Sequence, residues 1–152
     1  MTLLHHRVPP PIVLIGFIAM AWGLSGPEVA QGVSVLQWLV VLVIFLIGSG
    51  FLCLGLVGFR RCRTTVNPLQ PHAATTLVTS GIYSVSRNPM YVGFAFWLLA
   101  WVIWLGSGLS VIALLGYVSY IHWFQILPEE RALMQRFGEQ FRDYQQRVRP
   151  WL

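Results

Sequence analysis

Two carboxylates, Glu129 and Glu130, stand side by side directly after an apolar run, and they are two of only five acids in 152 residues. Adjacent acids can accept hydrogen bonds from hydroxyls, neutralise a cation or take up a proton, so this position raises a binding or acid–base role. A helix start explains the same pair without a ligand, because Pro128 suits a first helical turn and the helix dipole favours anions there. The other concentration of functional groups is residues 64–93, TTVNPLQPHAATTLVTSGIYSVSRNPMYVG. It is longer than a simple connection. Ile82, Tyr83, Val85 and Tyr91 supply apolar and aromatic anchors, as expected of an ordered, functional loop. His122 lies late in an apolar run, where an ionisable group is either a functional candidate or an interfacial, solvated side chain. Motifs of soluble enzymes are missing: no G-x-G-x-x-G after a strand, no G-x-x-x-x-G-K-[ST], no H-E-x-x-H and no G-x-S-x-G. Cys53 and Cys62, with no nearby His pair, make neither a metal site nor an expected disulfide.

The elements that must position these groups are apolar helices. The chain is 56% hydrophobic and 10% charged, against about 25% charged in soluble domains, which excludes disorder, a coiled coil and an ordinary water-soluble domain. A bilayer-spanning helix needs about 20 mostly apolar residues, range roughly 17–25. Four segments qualify as expected spans: 8–24, 33–59, 90–105 and 109–127. Pro9, Pro10 and Pro11 can sit at the mouth of the first, since early helical N–H groups lack intrahelical partners. The second could exceed the hydrocarbon thickness and should tilt or protrude. Its Gly48-Ser49-Gly50, Gly55 and Gly58 would let another helix approach closely. Gly106-Ser107-Gly108 reads as a tight turn that makes the last two spans a hairpin. The expected fold is therefore all-α and polytopic, one domain over 1–152, with a cytoplasmic loop 60–89 and a cytoplasmic tail 128–152.

Ten arginines and no lysine account for the net charge of +5. Arg7 precedes the first span, Arg60, Arg61 and Arg63 follow the second, Arg87 precedes the third, and Arg131, Arg136, Arg142, Arg147 and Arg149 follow the fourth. With four spans all ten fall on one side, and the opposite side holds only the loops around Glu28 and Ser107. The positive-inside rule then places both termini in the cytoplasm. Topology thus explains a charge that would otherwise raise nucleic acid as a partner. A rival reading takes His5-His6-Arg7, the apolar run and Ala19-Met20-Ala21 as a cleavable secretory signal, but its removal would split the arginines across the membrane. In the tail, Leu133, Phe137, Phe141, Tyr144 and Val148 recur at helical spacing, with polar residues on the other faces. An amphipathic helix on anionic lipid accounts for that stripe; it does not account for the paired acids at its start.

Taken in order, Leu77-Val78-Thr79-Ser80-Gly81-Ile82-Tyr83, Ser86-Arg87-Asn88-Pro89-Met90-Tyr91-Val92-Gly93, Pro128-Glu129-Glu130-Arg131-Ala132-Leu133, Phe137-Gly138 and Tyr144 resemble the integral-membrane methyltransferases. That superfamily includes isoprenylcysteine carboxyl methyltransferases and phospholipid N-methyltransferases. The resemblance runs from about Asn67 to the C-terminus. Asn88 stands where the carboxyl methyltransferases carry His, as in many bacterial members and the phospholipid enzymes. Ile82 replaces the usual Pro of G-P-Y, and Phe141 the first aromatic of G-x-x-Y-x-x-Y.

The resemblance implies an enzyme of a bacterial inner membrane that uses S-adenosylmethionine. Its pocket would be built from the cytoplasmic half of the last helices and the tail, and its acceptor would be a hydrophobic or lipid-anchored carboxylate or amine. On that reading Glu129 and Glu130 accept from the ribose hydroxyls or the ammonium, and Arg87 pairs with the cofactor carboxylate. Tyr83 and Tyr91 stack on adenine or offer a hydroxyl, and Gly81 and Gly93 admit a close backbone approach. Asn88 and Pro89 complete the cofactor motif. An amine acceptor must lose a proton, with Glu129, Glu130 or His122 as candidate bases; a carboxylate needs none. Without the motif, Arg87 reads as a snorkelling anchor and Tyr91 as an aromatic-belt residue. Two other functions fit the same chain. One is a nicotinamide-dependent membrane reductase of related architecture, against which the paired acids argue because they would face a pyrophosphate. The other is a non-catalytic membrane module with a lipid-binding basic tail.

Overall fold

Three consecutive prolines open the first helix. In the computed structural model, which describes residues 8–26, 34–61 and 76–152, Pro9 flanks α1 (Pro10–Ser25) and the next two prolines occupy its first turn. The missing N–H groups cost nothing at positions that have no intrahelical acceptor. Next come α2 (Val35–Arg61), a 3-10 turn (Gly81–Ser84), α3 (Pro89–Leu105), a second 3-10 turn (Gly108–Ser110), α4 (Val111–Ile121), a π-turn (His122–Ile126), α5 (Leu127–Phe137) and α6 (Glu139–Arg147). Every element among the described residues is helical. Arg7, Glu28, Cys62, Arg63, His72 and loop residues 62–75 lie outside them.

Two helical runs, Val35–Arg60 and Gly108–Phe137, are long and apolar enough to cross a bilayer by length and composition. Helices α1 and α3 are also apolar but shorter: at 16 and 17 residues they fall just below and at the lower end of the roughly 17–25 residues a span needs. The Gly106 turn forms as expected: Gly106 takes φ 66, ψ 10 at the end of α3, a left-handed conformation that glycine adopts without a Cβ penalty. The chain then reverses into α4. Helix α1 packs against α3 and α4, and α2 lies on another side of α3. The core joins Val13 and Leu14 of α1, Leu98 and Val102 of α3, and Ala113, Tyr117 and Ile121 of α4.

The π-turn has a local cause. Pro128 carries no N–H and its ring would collide with the carbonyl of Phe124 in a regular helix. The chain widens instead, and the Leu127 N–H bonds to the His122 carbonyl five residues back. This extra residue has a consequence for register. Steps of four residues drift by about 40° each on an α-helix, but the wider π-turn cancels part of that drift. Tyr117, Ile121 and Gln125 accordingly all lie fully buried, and Glu129, four residues further, still faces α3.

Glycine sets the distance between α2 and α3. A Cβ on Gly93 would lie 2.7 Å from the Gly48 carbonyl oxygen and 2.7 Å from Leu52 Cγ, and one on Gly48 would lie 2.8 Å from the Gly93 oxygen. The backbones therefore touch, as small residues allow between membrane helices. Gly93→Val should separate them and cost about 1–3 kcal/mol, read as a lowered melting temperature in detergent. Gly50→Ala, which would meet nothing within 4 Å, should leave it unchanged or raise it. Equal melting temperatures for wild type and Gly93→Val would refute the close contact.

The tail departs from the single helix expected from its stripe. Gly138, at φ 52 and ψ −122, divides it into α5 and α6. The stripe survives the break because the two helices fold over one another. Phe141, Tyr144 and Val148 form a second core with Leu77, Leu133 and Phe137.

Candidate active site

Four segments converge beyond the apolar run that ends at Leu127: the C-terminal half of α2, residues 77–91, the start of α5, and the end of the tail. Tyr83 is the first link. Its ring packs edge-on against Phe59, with centroids 5.3 Å apart, and fills the space above Gly55 and Gly58. Its hydroxyl donates to the Gly55 carbonyl at 3.4 Å, and its own carbonyl accepts from the Tyr144 hydroxyl at 2.6 Å. Burial pushes the phenols of Tyr83 and Tyr144 upward, so both stay protonated and act as donors.

The two acids of the pair part company. Glu130 turns to Arg87: Nη2 donates to its Oε1 at 2.6 Å and Nε to the same oxygen at 2.9 Å. Gln145 Nε2 donates to the other oxygen at 3.0 Å. The Arg87 and Glu130 side chains are only 10% and 14% exposed. Arg87 Nη1 also donates to the carbonyls of Gln145 and Val148, where the C-terminal end of α6 favours a cation. Glu129 holds a phenol in place of a cation: the Tyr91 hydroxyl donates to its Oε1 at 2.5 Å. Burial pushes the Glu129 carboxyl up to about 8, the Tyr91 bond opposing and the Glu130 charge adding to the rise.

The remaining motif residues anchor the tail or the helices. Asn88 Nδ2 donates to the Pro150 carbonyl at 2.9 Å. Ser86, fully buried, accepts the Asn88 N–H at 3.1 Å and donates to the Pro150 carbonyl at 3.4 Å. Arg87 N–H bonds to the Arg149 carbonyl at 3.0 Å. Pro89 begins α3 and is buried. Gly81, at φ 64, starts the 3-10 turn at an exposed position, and Gly93 faces Gly48 of α2. The structure thus brings Tyr83, Arg87, Asn88, Tyr91, Glu129 and Glu130 together, while Gly81, Pro89 and Gly93 shape the backbone around them. Arg87 is largely committed to the tail, which leaves it less of a free anion receptor than its charge implies. His122 is half-buried, and its Nδ1 has no hydrogen-bond partner among the described residues.

Sequence reasoning missed Gln125 and Gln145. Gln125 is fully buried and ties the π-turn to the mouth of α1, Nε2 donating to the Val8 carbonyl at 3.0 Å; its Oε1 has no partner among the described residues. A lone amide inside an apolar run was the available signal. Gln145 reads from sequence as one more polar residue on the solvated face of the tail. Among the described residues no three His, Cys, Asp or Glu side chains gather as a metal site would require.

Comparison with known proteins places this geometry. The profile of the phospholipid methyltransferase family matches residues 38–140. An uncharacterised protein of Haemophilus influenzae is 41% identical over 63 residues, 41% of this chain and all of that one. The protein-S-isoprenylcysteine O-methyltransferase B of Arabidopsis thaliana is 39% identical over 72 residues, 47% of this chain and 36% of the relative. The chloroplastic 15-cis-zeta-carotene isomerase of Zea mays is 37% identical over 62 residues, 41% of this chain and 17% of the relative. The match thus spans about a third of that methyltransferase and less of the isomerase. No solved structure matches the chain significantly. The family match covers both the R-N-P-x-Y segment and the paired acids that the fold joins: this all-helical integral membrane protein belongs to the phospholipid methyltransferase family.

Proposed function

We propose that the protein transfers the methyl group of S-adenosylmethionine to an acceptor on a hydrophobic or lipid-anchored molecule, at the cytoplasmic face of a bacterial inner membrane, with both termini on that side. The observation that carries this reading is the division of labour between the paired acids. Glu130 is neutralised by Arg87 and thereby fastens the tail over the bundle, whereas Glu129 presents a carboxyl that burial has made reluctant to ionise. Such a group suits a ligand that brings its own positive charge and donors. The Arabidopsis relative is named as an isoprenylcysteine O-methyltransferase, which favours a lipid-anchored acceptor here.

The residues present fit the cofactor. S-adenosylmethionine supplies an electrophilic methyl on a sulfonium, together with an ammonium, a carboxylate, a ribose diol and an adenine. Glu129 would accept from the ammonium or the ribose hydroxyls, with Tyr91 orienting its carboxyl. Tyr83, packed on Phe59 of α2, and Asn88, bonded to the Pro150 carbonyl, would shape the walls of the cofactor site. Arg87, Glu130 and Gln145 act as positioning residues, fixing the tail that closes the site from water. Displacement at the methyl requires the acceptor atom within about 3–3.5 Å and in line. A carboxylate acceptor arrives ready to attack; an amine gives up a proton, for which Glu129 would be the base.

The isomerase likeness makes direct assay the necessary test. The full chain in lipid nanodiscs should bind S-adenosylmethionine saturably in calorimetry, bind NADPH not at all, and move radiolabelled methyl into an organic-phase product from a bacterial lipid extract. Binding of NADPH alone would select a reductase. Binding of neither, with unchanged adhesion to anionic vesicles, would select the lipid-binding module.

A further inference from the structure

The π-turn His122–Ile126 holds a residue that the proline after it does not explain. Gln125 lies within the turn, and its side chain is fully buried. One amide hydrogen reaches the Val8 carbonyl at 3.0 Å, 117 residues back in the chain, while Oε1 meets no partner among the described residues. An amide buried with its oxygen unmet costs stability that an apolar side chain of the same size would not. Its one bond is well placed to matter. Val8 packs against the same buried cluster as Tyr91 and Ile126. The bond therefore joins the mouth of α1 to the π-turn beside Tyr91, whose hydroxyl donates to Glu129.

Register is what such a bond can decide. Pro128 rules out a regular turn, but it leaves open where the extra residue sits and which side of α5 then faces α3. One residue is about 100° of rotation on an α-helix. A slip of that size would swing Glu129 away from Tyr91 and bring a neighbour into its place. A directed hydrogen bond separates such registers more sharply than apolar packing, and a single buried amide can fix the register of packed helices. We propose that Gln125 is a positioning residue for Glu129: its bond to the Val8 carbonyl pins the register of the π-turn, and that register aims the Glu129 carboxyl at Tyr91 and the candidate site. The consequence for cofactor binding rests on the proposed function; the aim of the carboxyl does not.

Gln125→Met, which keeps the length of the side chain and removes the amide, tests this in the full chain in lipid nanodiscs. The readout is an infrared titration of the protonated Glu129 carboxyl, identified as the band that Glu129→Gln removes. In wild type it should titrate near 8, with Tyr83, Tyr91 and Glu130 among the titratable groups in its electrostatic reach. In Gln125→Met the midpoint should fall by about one unit or more as the carboxyl leaves its buried position, while unfolding stays cooperative. Gln125→Asn, polar but one methylene too short for Val8, should lower it likewise. Affinity for S-adenosylmethionine should drop about tenfold in both, part of the roughly hundredfold that loss of the charge itself would cause. A midpoint left near 8 in both variants would overturn the assignment, and so would a lowered melting temperature or affinity with that midpoint unchanged. Lowered midpoints in a chain whose wild type binds no S-adenosylmethionine would sustain it and refute the cofactor instead.

Discussion

Glu129→Gln is expected to weaken S-adenosylmethionine binding by about a hundredfold, the scale of losing one charged partner in a desolvated site, while raising the melting temperature of the ligand-free protein. The two effects share one cause. Burial pushes the Glu129 carboxyl up to about 8 from the ordinary glutamate value of 4.5, so the folded state keeps a proton that the unfolded chain has lost. A carboxyl raised in this way gives stability that is complete below its unfolded value and drains away as pH climbs towards 8. The amide has no proton to lose, and it can still accept from the Tyr91 hydroxyl. The thermal advantage of Glu129→Gln should therefore widen between about pH 5 and pH 8 and level off above that. Binding runs the other way: a cationic ligand favours the carboxylate, so wild-type affinity should rise with pH up to about 8 and the variant should show no such slope. Calorimetry and thermal unfolding across pH 6–9 check both. Glu130→Gln serves as the contrast, because it leaves Arg87 short of its partner and should lower the melting temperature. If Glu129→Gln destabilised the protein, or kept wild-type affinity, the assignment of Glu129 as the ligand-facing acid would fall.

The apolar segments, the proline-led start of α1 and the Gly106 turn were legible because each depends on neighbours in sequence. Gly48 was legible as a packing residue, but not its counterpart Gly93, whose role comes from a helix 45 residues away in the chain. The motif residues were legible as a set through resemblance, whereas their pairing was not. Nothing in two adjacent glutamates says which turns to Arg87 and which to Tyr91; that depends on the π-turn, a response to Pro128 that shifts the register of everything after it. Gly138 misled in the opposite direction. A four-residue repeat reads as continuous helix, and a glycine able to take a positive φ folds the same stripe back on itself. Gln145 could not be read at all, since its value lies in meeting Glu130 across the break between α5 and α6.

Arg87→Ala should be the most damaging single change to the fold of the cytoplasmic end. It strands Glu130 in a site where both side chains are nearly buried, a loss of about 3–5 kcal/mol when one partner of such a pair is removed. It also frees the carbonyls of Gln145 and Val148 at the end of α6. Thermal unfolding should show the lowered stability, and limited proteolysis should begin to cut beyond Gly138 in the variant but not in wild type. Arg87→Lys should recover little, because a single ammonium cannot span a carboxylate and two carbonyls as the planar guanidinium does. The double variant Arg87→Ala, Glu130→Gln should lose clearly less than the sum of the single losses, since the second substitution removes a charge already left unpaired. Affinity for S-adenosylmethionine should follow the integrity of the tail in this series, falling wherever proteolysis rises. An Arg87→Lys protein with an intact tail but no affinity would instead make Arg87 a direct partner of the cofactor carboxylate. The contacts seen here, with Arg87 donating to Glu130 and to two tail carbonyls, favour the first outcome.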